Sequence, residues 1–127
     1  MTERATIDFG IDLGTTNSGI AYIDGAETKI IKNNDNIEIT PSVVHINRKG
    51  AIIVGEGARN RQLDKHNTHS EFKRQMGTTH VYYFERIGKH MTPVELSAEV
   101  LKQLKQDVLQ RKGEDLSAIV VTVPAAF

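Results

Sequence analysis

The sequence has no cysteine, no long apolar segment and no excess of charge of either sign. Without cysteine, the 127-residue chain can form neither a disulfide framework nor a thiolate site, which fits a reducing compartment such as the cytoplasm. No apolar run approaches the roughly 20 residues of a membrane span, and no apolar signal segment follows Met1–Arg4. Lys plus Arg and Asp plus Glu both total 16, so nothing favours nucleic acid as a partner. We therefore expect a cytoplasmic protein that binds neither membranes nor nucleic acid.

Proline is also scarce, and two of the three prolines mark the boundaries of predicted strands. Pro41 stands at the start of an element that leads into an apolar strand over residues 43–46. Pro124 ends the run 118–123, which is apolar on both faces and therefore predicts a buried strand in a parallel pairing.

The third proline begins the clearest helix of the chain. Thr92 and Glu95 form a capping box around Pro93, and Gly113 follows as a stop signal, which together predict a helix over residues 93–112. The apolar stripe expected to face the core consists of Val94, Ala98, Leu101, Leu104, Val108 and Leu109.

The stretch from residue 7 to residue 23 predicts two strands joined by a polar turn. Apolar residues alternate with Asp and Gly up to Gly14, which is the period of a strand. The turn 14–19 contains glycines, Thr15, Thr16, Asn17 and Ser18. Such a turn can direct several backbone N–H groups toward one point and so bind an anion, and the hydroxyl groups can add further donors.

Asp12 lies directly before this turn. A carboxylate would repel a bare phosphate, but it suits a site in which a hydrated Mg²⁺ ion lies between the two. The residues therefore suggest a site for the phosphates of a metal–nucleotide complex, whereas the simplest alternative is an ordinary glycine-rich hairpin.

The chain resembles the seventy-kilodalton heat-shock chaperones of the DnaK type, within the actin-like ATPase superfamily. The resemblance covers nearly the whole chain in order, and its motifs are Asp12–Ser18, Thr40–Val44, Val54–Asn60, Phe72–Arg74 and Val121–Ala125. Only 51 positions separate Lys73 from Pro124, fewer than in typical members. The likeness is thus to a short, divergent member that lacks a strand or two of the peripheral subdomain.

This resemblance implies a role for each matching residue. Asp12 would hold Mg²⁺ through water, and Lys73 would lie beside the γ-phosphate of ATP and the attacking water as the catalytic residue. Pro124 would be a switch that relays the nucleotide state to a peptide-binding domain. The residues that would wrap the phosphates of ATP or ADP are Gly14, Thr15, Thr16 and Asn17.

The implied fold is α/β, of the ribonuclease-H/actin-like type. Residues 1–40 and 118–127 would form the core sheet of the first ATPase lobe, and residues 41–117 an inserted, peripheral α/β subdomain. The chain would be an N-terminal fragment, without the rest of the ATPase domain and the substrate domain, and inactive by itself. The parent would be a stress-response chaperone that binds unfolded peptides and co-chaperones and is cycled by ATP hydrolysis.

Two other functions compete with this interpretation. A carbohydrate kinase of the same superfamily also carries the string Gly-Ile-Asp-Leu-Gly-Thr-Thr, although Lys73 and the Val121–Ala125 motif favour the chaperone. The other alternative is a catalytically inert folded lobe.

Overall fold

The computed structural model describes residues 9–24, 27–112 and 119–122. Its strands are β1 (Phe9–Leu13), β2 (Asn17–Asp24), β3 (Glu27–Ile31), β4 (Thr40–Pro41), β5 (Val43–Ile46), β6 (Ile52–Val54), β7 (Thr68–Ser70), β8 (Tyr82–Phe84), β9 (Lys89–Met91) and β10 (Ile119–Thr122). The α-helices are α1 (Glu56–Arg59) and α2 (Pro93–Lys112), and two 3₁₀ helices span Phe72–Gln75 and Glu85–Ile87.

The first sheet has the strand order β10-β1-β2-β3, and β4 pairs with β2. The pairs β1–β2 and β2–β3 are antiparallel, whereas β10 runs parallel to β1. This confirms the parallel pairing predicted for the run 118–123, although the strand itself is Ile119–Thr122. The predicted switch residue Pro124 lies outside the described residues.

Alternation along β1 gives the first sheet two unlike faces. Phe9, Ile11 and Leu13 are buried in the core, as the sequence period predicts. Gly10 and Asp12 point to the opposite face, which the alternation leaves for small and polar side chains.

Two smaller sheets follow in the middle of the chain. One is three-stranded with the order β6-β5-β7, and the other is the hairpin β8–β9. All four residues of β5 are buried, which fits a central strand covered on both faces.

Helix α2 packs against both of the larger sheets and joins them into one hydrophobic core. The predicted capping box is present: Glu95 Oε1 accepts a hydrogen bond from the Thr92 N–H at 3.0 Å, and Thr92 Oγ1 accepts one from the Glu95 N–H at 3.1 Å. Both bonds satisfy N–H groups at the N-terminus that the helix cannot bond internally, so α2 begins where the sequence predicts.

The predicted core-facing stripe of α2 is confirmed only in part, since Leu104 and Val108 are buried and Leu101 packs against the core. Val94 and Leu109 are 59% and 46% exposed. The buried stripe is instead Leu96, Val100, Leu104 and Val108, with a spacing of four residues. Burying each of these side chains contributes about 1.5–3 kcal/mol. The burial of four side chains therefore stabilises this orientation of α2 more than the burial of Val94 and Leu109 would.

Two further predictions differ from the structure. The sequence also predicts that residues 55–58 lead into a short helix through Leu63, but α1 ends at Arg59 and turns continue from there. The polar turn is shorter than residues 14–19, because β2 already begins at Asn17.

Candidate phosphate-binding site

The loop that connects β1 to β2 is a tight turn of residues 14–16. It follows the last ladder pair, in which Leu13 lies opposite Ser18. A Cβ atom on Gly14 would lie 2.1 Å from the carbonyl oxygen of Asn17, closer than any non-bonded contact permits. Only glycine therefore allows the chain to close at this point.

Ser42 fixes the shape of this loop from the other side. Its Oγ donates a hydrogen bond to the carbonyl oxygen of Gly14 at 2.9 Å, and its N–H donates one to the carbonyl oxygen of Thr16 at 2.9 Å. Its Oγ also lies 2.8 Å from the Oγ of Ser18. Because the single hydroxyl proton of Ser42 is used on Gly14, the hydroxyl of Ser18 is the donor in that pair.

This network corrects one expectation about the hydroxyl groups. Ser18 is buried and its proton is committed to Ser42, so its side chain does not serve as a donor to an anion in the turn. Thr15 is half-buried and Thr16 is exposed, so both residues are accessible to solvent at least in part.

Asp12 lies at the end of β1, exposed, on the face of the sheet opposite the core. It lines an open cavity of about 310 Å³ together with Asn17 and the small residues Gly10, Gly19 and Ala21. Gly19 pairs with Asp12, and Ala21 pairs with Gly10. Small side chains opposite the carboxylate leave room for a group larger than a water molecule.

Lys73 lies in the 3₁₀ helix Phe72–Gln75 and is only 5% exposed. Burial lowers the pKa of its ammonium group, while the negative charge of Asp12 raises that pKa. Phe72, which is 1% exposed, anchors the 3₁₀ helix in the core. The fold therefore brings the charges of Asp12 and Lys73 within interaction range, although 61 positions separate them in the sequence.

These residues fit an Mg²⁺–phosphate group. Mg²⁺ commonly keeps several waters and binds one or two carboxylates together with substrate phosphates. A single exposed carboxylate beside a glycine-closed loop supplies such a partner, and a buried lysine supplies a positive charge for phosphate oxygens. Among the residues that the structure describes, no group of three or more His, Asp or Glu side chains could hold a metal ion by itself.

Sequence reasoning assigned no role to two residues that shape the loop. The segment Thr40–Val44 was noticed only as a motif, and the hydrogen bonds of Ser42 were not foreseen. Asn33 was placed in a loop, yet it is buried and its Nδ2 donates to Thr40 Oγ1 at 2.9 Å. An asparagine seven positions before Thr40-Pro41-Ser42 is a weak signal, and the loop residues that Ser42 binds lie far away in the sequence.

No helix among the described ranges has the length and apolar character that a membrane crossing requires.

Comparisons with known proteins agree with the motifs. A family model described as Hsp70 protein matches residues 8–86 and 79–127. The chain is 40% identical over 129 residues to the chaperone protein DnaK of Mycoplasmoides gallisepticum, with 100% of this chain and 22% of that protein covered. The chain thus spans about a fifth of the length of this relative, and the compact interval between Lys73 and Pro124 lies inside the match. On these matches, the chain belongs to the Hsp70 family, among its DnaK-type members.

Proposed function

We propose that this chain is the N-terminal part of the nucleotide-binding domain of a cytoplasmic, ATP-dependent molecular chaperone. The whole protein would bind unfolded peptide segments, work with co-chaperones and be cycled by hydrolysis of ATP to ADP and phosphate. The family membership supports the class of protein, and it favours a chaperone over a carbohydrate kinase.

The single observation that carries the proposal is the placement of Asp12 and Lys73. An exposed carboxylate, placed directly before a loop that only glycine can close, interacts electrostatically with a buried ammonium group. Phosphoryl transfer demands positioning and neutralisation of charge more than covalent chemistry. A lysine and a bound Mg²⁺ together supply that neutralisation.

In this proposal each residue of the site has one task. Asp12 orients the hydrated Mg²⁺, and Lys73 stabilises the charge that develops on the transferred phosphoryl group and its attacking water. The phosphates are held by the backbone of Gly14, Thr15, Thr16 and Asn17. Pro124 keeps its proposed role as the switch toward the peptide-binding domain.

We also propose the division of the chain into a core sheet, residues 1–40 and 118–127, and a peripheral subdomain, residues 41–117. Because the nucleotide of this superfamily binds between two lobes, a chain of this length supplies one side of the cleft. The isolated chain is therefore expected to show no ATP turnover and at most weak binding of Mg·ATP.

The test is Mg·ATP binding by calorimetry in the full-length protein. Asp12→Asn and Thr15→Ala should each weaken Mg·ATP binding or lower turnover, because each removes a contact to the metal or the phosphates. Glu27→Gln and Thr28→Ala are matched controls, since both residues are exposed and lie at the start of β3, at the end of the sheet away from the loop. Unchanged affinity and turnover in both site variants would refute the assignment.

A further inference from the structure

We infer that Ser42 is a positioning residue that holds the loop of residues 14–16 in its phosphate-binding shape without touching the nucleotide itself. This inference rests on the proposed function. Ser42 is 1% exposed and lies 28 positions after Gly14, so it acts on the loop from within the fold.

The two loop carbonyl groups that bind Ser42 determine where the neighbouring N–H groups point. Ser42 Oγ holds the carbonyl oxygen of Gly14, and Ser42 N–H holds that of Thr16. In a planar trans peptide, the N–H points opposite to the C=O. The N–H groups of Thr15 and Asn17 therefore point away from Ser42, and the loop presents two donors on the other side.

The same arrangement keeps negative charge away from a bound phosphate. Carbonyl oxygens carry partial negative charge and would repel phosphate oxygens if they turned toward them. Both carbonyls are instead occupied by donors from a single residue. Ser18 adds its proton to the Oγ of Ser42, which leaves that hydroxyl group oriented toward Gly14.

Ser42 is itself held by the elements around it. In the β2–β4 ladder, Pro41 lies opposite Asn17 and Thr40 opposite Ser18. Asn33 bonds Thr40 through its Nδ2, and its Oδ1 accepts the N–H groups of residues 35 and 37. The loop 33–39, the short strand β4 and the turn 14–16 are therefore one connected hydrogen-bonded unit.

The experiment compares Ser42→Ala with Thr68→Val in the full-length protein. Thr68 is a matched control because its buried hydroxyl group also bonds a backbone carbonyl, that of Arg61 at 3.0 Å, and a side chain, that of His45 at 2.7 Å. It lies in β7, in the other sheet. Melting temperature, Mg·ATP affinity, adenosine affinity, KM and kcat are measured for each variant.

We expect both variants to lower the melting temperature by similar amounts. Ser42→Ala alone should weaken Mg·ATP binding by about tenfold, the scale of one or two lost hydrogen bonds, and should raise KM more than it lowers kcat. Adenosine, which has no phosphate, should bind Ser42→Ala and wild type equally. Ser42→Thr, which retains the hydroxyl group, should recover most of the affinity for Mg·ATP.

Three results would overturn the inference. The first is wild-type affinity for Mg·ATP in folded Ser42→Ala, and the second is an equal loss of adenosine and Mg·ATP affinity in that variant. The third is a loss of Mg·ATP affinity in Thr68→Val equal to that in Ser42→Ala. If Ser42→Ala does not fold, Ser42→Cys keeps the volume with a weaker donor, and an affinity equal to that of wild type would count against the inference in the same way. A wild-type protein that binds no Mg·ATP would instead reject the proposed function on which the inference rests.

Discussion

The structure contains two buried bases, Lys73 beside the first sheet and His45 in the second, and their surroundings differ. Burial lowers the pKa of both, and a carboxylate opposes the shift in each case, Asp12 for Lys73 and Asp64 for His45. Lys73 is 5% exposed and His45 is 3% exposed. Burial and a nearby carboxylate thus act in opposite directions on the pKa of a base at two places in this fold.

The polar groups around His45 bond one another, although His45, Asp64 and Arg86 also line an open cavity of about 790 Å³. Thr68 Oγ1 donates to the carbonyl of Arg61, so the contact with His45 requires a proton on the Nδ1 of His45. Asp64 accepts hydrogen bonds from Asn67 at 3.0 Å and from Arg86 at 3.2 Å. These hydrogen bonds join the polar groups of the cluster to one another, as in a structural network.

The carboxylate that acts on Lys73 lies on an exposed surface instead. Asp12 is exposed, and glycine, alanine and isoleucine residues together with Glu38 line the cavity beside it. The comparison teaches that burial and a lowered pKa do not by themselves indicate a functional base. Open cavities adjoin both regions, so the distinguishing feature is an exposed partner carboxylate directly before a fixed backbone loop.

The largest expected effect is on turnover after Lys73→Ala in the full-length protein. The variant should bind Mg·ATP almost normally but hydrolyse it about 10²-fold more slowly, the scale of one lost electrostatic stabiliser of a transition state. His45→Gln should leave turnover unchanged. Phosphate release under saturating ATP measures both. A Lys73→Ala protein that fails to bind ATP yet turns over normally at saturation would make Lys73 a binding residue.

A smaller effect is expected on the pH dependence of stability, and it should belong to His45. The pKa of His45 is lower in the folded state than its unfolded value of 6.5. Its contribution to stability is therefore complete above pH 6.5 and is lost as the pH falls from there through the lower, folded pKa. Wild type should therefore lose more stability between about pH 7.5 and pH 5.5 than His45→Gln does. Urea unfolding at both pH values measures this difference, with His90→Gln at an exposed position as the control. If stability depends on pH identically in wild type and His45→Gln, the titration of His45 does not contribute to the stability of the fold.

The smallest expected effect is on stability, and both regions should share it because α2 packs against both large sheets. Thr92→Ala removes half of the capping box and should lower the free energy of unfolding by about 1 kcal/mol. Amide hydrogen exchange should accelerate equally in β1 and β5, whereas Thr79→Ala, at an exposed position, should change neither. Acceleration in only one of the two strands would mean that the regions unfold separately.

Local patterns in the sequence predicted the elements that depend on neighbours in the chain. The alternation in β1, the capping box of Thr92 and Glu95 and the parallel partner of β1 were all confirmed. The stripe of α2 was confirmed at Leu104 and Val108 but not at Val94 and Leu109, which the tertiary packing leaves exposed. Helical period alone does not decide between two adjacent faces of similar hydrophobicity.

The site was predictable only in part, for a physical reason. Gly14 and Asp12 belong to one local motif, whereas the resemblance alone linked Lys73 to them. The contacts of Ser42 join residues 24 and 28 positions apart, and no local pattern encodes such pairs. Ser18 shows the same limit, because a hydroxyl group in a turn carries no sign of whether its partner is a phosphate or another serine.

The most direct test of the account is the pKa of the Lys73 ammonium group, measured by NMR in wild type and in Asp12→Asn. Burial lowers this pKa and the charge of Asp12 raises it, so removing that charge should lower the pKa further. Asp35→Asn, at an exposed loop position, should leave it unchanged. A pKa that is the same in wild type and Asp12→Asn, or higher in the variant, would show that the two charges do not form one site.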